Sequence, residues 1–135
     1  MRKLFCSVLI IASLLLISFN SKAQVYTGNL TLNSQTQVDA FNYTSVTGIL
    51  SIGSLFSGAI TNLDGLSELT TVGARLMIDH TSITNVDGLS NLTSVKTFLI
   101  ISNNPPLTNA GGLSHLSAVH SQNGSIDLCD HELTN

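Results

Sequence analysis

The chain has 135 residues, of which 43% are hydrophobic and only 10% charged, with a formal net charge of −3. That length allows one domain, or part of one, around a single modest core, and the mildly acidic balance excludes the basic footprint needed for nucleic acid or an anionic membrane surface. Ser, Thr and Asn make up roughly a third of the residues beside abundant Leu, which is too aliphatic for intrinsic disorder and too poor in Glu, Lys and Ala for a helical bundle.

The N-terminus reads as a targeting signal. Met1-Arg2-Lys3 is a short positive start, and Leu4 to Phe19 is an apolar run. Ser21 and Ala23 then stand at the small-residue positions that a signal peptidase requires. A membrane span needs about 20 apolar residues, so this shorter run predicts a cleaved secretory signal over 1–23, with no membrane insertion after cleavage. Cleavage leaves Arg75 and Lys96 against all eight acids, a net charge of −6, and a single cysteine, Cys129.

The remaining sequence is internally repetitive. Ile60-Thr61-Asn62-Leu63-Asp64-Gly65-Leu66-Ser67-Glu68-Leu69-Thr70-Thr71-Val72 recurs 23 residues later as Ile83 to Val95, with at least nine identical positions, and again as Leu107 to Val119. A degenerate earlier copy runs from Val38 to Val46. Self-similarity at this period is the signature of stacked units, none of which can bury its own apolar edge alone. Residues 24–45 read as a capping strand and short helix, and 46–135 as the repeats, ending at the start of a further unit.

Within each unit, alternating aliphatics predict a half-buried strand: Leu50 and Ile52, Leu76 and Ile78, Leu99 and Ile101, Ile126 and Leu128. A polar turn follows, and then Asp-Gly-Leu-x-x-Leu suits one helical or 3₁₀ turn with its Asp as cap. The Asp-Gly pairs at 64–65 and 87–88 read as turn chemistry. Asn62, Asn85 and Asn109 recur at one position and predict a ladder of buried amides that bond the backbone of the adjacent unit.

These units resemble leucine-rich repeats, and in particular the receptor L-domain-like repeats of secreted bacterial surface proteins. The resemblance covers most of residues 28–135 and departs where three extra residues precede Ile126 and where Gly53 to Gly58, with Leu55 and Phe56, lengthens a loop. It implies an α/β, strand-rich fold: a right-handed solenoid of about four coils, with one parallel sheet and short helical or 3₁₀ turns. It further implies binding or adhesion at the cell exterior.

Catalytic signals are sparse. His80, His115, His120 and His131 accompany Cys129, Asp130 and Glu132, without HExxH, CxxC or a nucleophile elbow. Cys129 and His131 could share a face as a thiol–imidazole pair, but the expectation is no catalytic residue, no cofactor and no metal. The better candidate is the outward face of the strands. Arg75, Met77, Asp79, Phe98, Ile100 and Asp127 fall on it, forming an apolar patch with a charged rim that suits a protein or glycan ligand. The competing expectation is a structural spacer in a larger secreted protein.

Overall fold

A computed structural model describes residues 23–54 and 59–119, and the backbone of 126–128. The expected signal lies outside these residues, except for Ala23. So do Leu55, Phe56, His120, Cys129, Asp130, His131, Glu132 and the side chain of Asp127.

The described chain is α/β and strand-rich, built on two parallel sheets rather than one. In chain order the elements are β1 (Val25–Tyr26), β2 (Leu30–Leu32), α1 (Gln35–Asp39), β3 (Ser45–Val46), β4 (Leu50–Gly53) and the 3₁₀ turn η1 (Asp64–Leu66). They continue with β5 (Thr71–Val72), β6 (Leu76–Asp79), η2 (Asp87–Leu89), β7 (Ser94–Val95), β8 (Leu99–Ser102), η3 (Gly111–Leu113), β9 (Ala118–Val119) and β10 (Ile126–Leu128). Sheet A has the order β1-β3-β5-β7-β9 and sheet B the order β2-β4-β6-β8-β10. The helical turns α1, η1, η2 and η3 lie side by side in the same sequence.

Sheet A is the unexpected layer. Its strands have two residues each, too short to show any period, and β3, β5, β7 and β9 each end on the Val that closes a unit: Val46, Val72, Val95 and Val119. Within residues 24–45, β1 and β2 give one strand to each sheet and α1 joins the helical row.

Sheet B keeps the expected alternation. In β4, β6 and β8 the Leu and Ile are buried and the residues between them half-buried. Leu50 pairs with Leu76 and Leu76 with Leu99, while Ile52, Ile78 and Ile101 follow in the next row. Between the two sheets and the helical row lies one core, to which Leu63, Leu66, Leu69, Val86, Leu89 and Leu92 contribute from the helical side. A fully buried Leu or Ile stabilises by about 1.5–3 kcal/mol relative to its exposed state, so the core depends on neighbouring units closing on each other.

Three glycines are explained by that closure. Gly65, Gly88 and Gly112 carry no positive φ, so turn chemistry is not their role. A Cβ on Gly65 would run into the Val38 carbonyl oxygen, on Gly88 into that of Leu63, and on Gly112 into that of Val86. The glycine sits where one helical turn touches the backbone of the preceding unit.

The Asp does not cap its turn, because the side-chain bond to the turn comes from two residues earlier. Asn62 Oδ1 accepts from Asp64 N at 3.1 Å, Asn85 Oδ1 from Asp87 N at 3.0 Å and Asn109 Oδ1 from Gly111 N at 2.7 Å. Asn62, Asn85 and Asn109 are therefore local turn-formers, half-buried or exposed, and not the expected buried ladder. A three-residue 3₁₀ turn leaves its first N–H free, and an Asn two residues back reaches it without leaving its own unit.

Asn62 Oδ1 also accepts from Gln35 Nε2 of the preceding unit at 3.3 Å, but most unit-to-unit side-chain bonding falls to other residues. Thr44 Oγ1 donates to the Gln24 carbonyl at 3.1 Å, Thr70 Oγ1 to Thr44 at 2.9 Å, Thr93 Oγ1 to Thr70 at 3.1 Å and Ser117 Oγ to Thr93 at 3.3 Å. The fully buried Asn104 takes the role foreseen for the repeating Asn. Its Oδ1 accepts from Thr81 N and Thr81 Oγ1, and its Nδ2 donates to the Ile78 carbonyl at 3.0 Å.

Candidate functional site on the outward face of sheet B

The parallel register assembles the outward face in three rows. Thr31, Ser51, Met77, Ile100 and Asp127 are successive partners along the middle. Gly53, Asp79 and Ser102 form the row at the C-terminal ends of the strands. On the opposite side, Leu50 N donates to the Arg75 carbonyl and Leu76 N to that of Phe98, each at 2.9 Å, which extends the sheet to Ile49, Arg75 and Phe98. Met77, Ile100, Arg75 and Phe98 thus fall together as the alternation predicts, and Asp127 follows by backbone register.

The Arg75 side is apolar and cationic. Its guanidinium carbon lies 5.6 Å from the Phe98 ring centroid, in cation–π range, and Nη1 donates to Met77 Sδ at 3.9 Å. The buried Nε has no hydrogen-bond partner among the described residues. Phe98 is 38% exposed, so the ring both screens the guanidinium and faces solvent.

The Asp79 side is polar. Asp79 Oδ1 accepts from Ser102 Oγ and Asn103 Nδ2, both at 2.8 Å, and Oδ2 accepts from His80 Nδ1 at 2.7 Å. Partial burial resists ionisation of this carboxyl. The hydrogen bonds from Asn103, Ser102 and His80, with the charge on His80, outweigh that resistance and hold its pKa below the usual carboxylate value. His80 and Asn103 have φ of 54° and 52° at equivalent positions after β6 and β8, in the left-handed region that Asn and His tolerate better than most residues.

A carboxyl whose pKa is lowered by folding stabilises the protein above its unfolded pKa, and that contribution disappears as pH falls through the folded value. Melting temperature should therefore drop as pH falls from about 5 to below the ordinary Asp value of about 3.9, and Asp79→Asn should flatten this acid limb. An acid limb equally steep in the variant would assign it to other groups.

On the Asp79 side lies a concavity of about 670 Å³, lined by Thr31, Asn33, Ser51, Ile52, Gly53, Ser54, Met77, Asp79 and His80. Sequence reasoning missed Thr31, Asn33, Ser54 and His80 as parts of this site. The Leu30-Thr31-Leu32 alternation was the available signal for Thr31; the other three directly follow the ends of β2, β4 and β6. Among the described residues, no three His, Cys, Asp or Glu gather as a metal-binding group. No helix there is long and apolar enough to cross a membrane.

In comparisons with known proteins, no family model, no curated protein and no solved structure matches the chain.

Proposed function

We infer that this protein is a non-catalytic extracellular binding or adhesion module, a leucine-rich-repeat-like solenoid of the receptor L-domain type, secreted by a cleaved signal and displayed at the cell surface. Its ligand is a protein or surface glycan held on the outward face of sheet B. The observation that carries this reading is the continuous face from Thr31 to Ile100, concave at its polar side and flanked by the Arg75–Phe98 pair. Rigid strands hold side chains of mixed character in fixed rows, which is what a recognition surface requires. The repeated 23-residue units and the unit-to-unit Thr ladder support the solenoid reading.

The test is Met77→Asp with Ile100→Asp. Both side chains are half-buried on the outward face, so charge there should remove ligand contact while leaving the core intact. Surface attachment of the purified protein should fall at least tenfold with secretion and melting behaviour preserved. Attachment unchanged by the double substitution would refute the sheet-face reading and favour a spacer that serves length alone.

A further inference from the structure

We propose that the concavity beside Asp79 binds a neutral saccharide, an assignment that rests on the reading of this face as the ligand surface and names the ligand class for its polar half. Sugar recognition needs hydrogen-bonding groups that are rigidly placed and not already consumed by the protein, together with an apolar surface for the ring C–H face.

The hydroxyls of Thr31 and Ser51 and the side-chain amide of Asn33 line the concavity and have no hydrogen-bond partner among the described residues. Sheet A shows the contrast: there the equivalent cross-strand hydroxyls, Ser45 and Thr71, bond to each other at 2.7 Å. The groups on sheet B are left for something else. Met77 supplies the apolar surface between them.

Asp79 supplies the acceptor. Three donors, from Ser102, Asn103 and His80, fix its carboxylate in place. A carboxylate offers about four acceptor positions, so one remains for a ligand hydroxyl. No Lys or Arg is among the lining residues, and the one imidazole there, His80, is already paired with Asp79, so nothing in the lining is left to draw a uronate, sialate or phosphate. The chemistry selects a ligand rich in hydroxyls and without negative charge.

The test is NMR titration of the full chain, labelled at Met methyl groups, with glucose, galactose, mannose and N-acetylglucosamine and their disaccharides, beside glucuronate and N-acetylneuraminate. At least one neutral sugar should shift the Met77 methyl saturably below about 10 mM. Its affinity should fall at least tenfold in Thr31→Val/Ser51→Ala, and the anionic sugars should bind at least tenfold more weakly. No saturable shift from any neutral sugar in the wild-type chain would overturn the proposal, whether or not the variant folds. So would affinity unchanged by the double substitution in a folded variant, or a preference for the anionic sugars. If attachment is lost on charging Met77 and Ile100 while no saccharide binds, the face remains a ligand surface, for a polypeptide, and only the saccharide assignment falls.

Discussion

Alanine in place of Gly88 should destabilise the protein by about 3 kcal/mol, at the upper end of the cost of overpacking. The added methyl has nowhere to go. It would overlap the Leu63 carbonyl oxygen, a backbone atom that cannot rotate aside as a flexible side chain could. Relief requires η2 to move away from η1, and that movement would loosen Leu66 and Leu89, both fully buried in the shared core. Gly111 provides the internal control. It stands where the other units carry Asp64 and Asp87, and a Cβ there would meet only the Asn109 side chain, at 3.0 Å. Gly111→Ala should therefore stay within about 1 kcal/mol of wild type. Urea unfolding of the two variants checks the contrast, and equal stability would show that the units do not stack through this glycine.

The second large effect is expected at Asn104. Truncation to Ala removes the acceptor for Thr81 N and Thr81 Oγ1 and the donor to the Ile78 carbonyl, in a place where neither Asn104 nor Thr81 is open to water. Stranded buried groups each cost about 1–3 kcal/mol, so a loss of about 3 kcal/mol is expected for Asn104→Ala. Thr81→Val deletes only the hydroxyl and keeps the backbone bond, and should cost about 1 kcal/mol. The double variant should lose less than the two singles together, because they share one bond. Chemical denaturation of the four proteins gives the coupling directly, and strict additivity would contradict the shared network.

What could be read in the sequence, and what could not, divides on physical lines. The Leu-x-Ile alternation of β4, β6 and β8 made sheet B and its outward rows legible, because period two is a property of consecutive residues. From it followed the grouping of Met77, Ile100, Arg75 and Phe98. Sheet A stayed hidden because two residues cannot display a period. The glycine of Asp-Gly-Leu was legible as a special residue but not for its reason: a turn and a close backbone approach demand the same lack of Cβ. The recurring Asn was visible and its role misassigned, since a local bond and a bond to the next unit leave the same repeat in the sequence. Asp79 was legible as a rim charge. Its anchors, Ser102 and Asn103, come from the following unit and become partners only when β6 and β8 pair. Asn104 escaped notice because it has no counterpart among the repeating asparagines.

The pairing pattern also bears on heredity. Every strand in either sheet bonds only to those of the preceding and following units. The interval between partners varies from 20 residues for β2 and β4, through 26 and 23, to 27 for β8 and β10, with the Leu and Ile rows still aligned. Loops absorb the difference. Near-identical stretches such as Ile60–Val72 and Ile83–Val95 also invite misalignment when their coding sequence is copied. Loss of one stretch would set Leu50 against Leu99 much as it now sits against Leu76, and a gain would insert one more row. The number of rows in the two sheets would then change by whole increments in a single genetic event, with each junction inheriting a packing solution that already exists elsewhere in the chain.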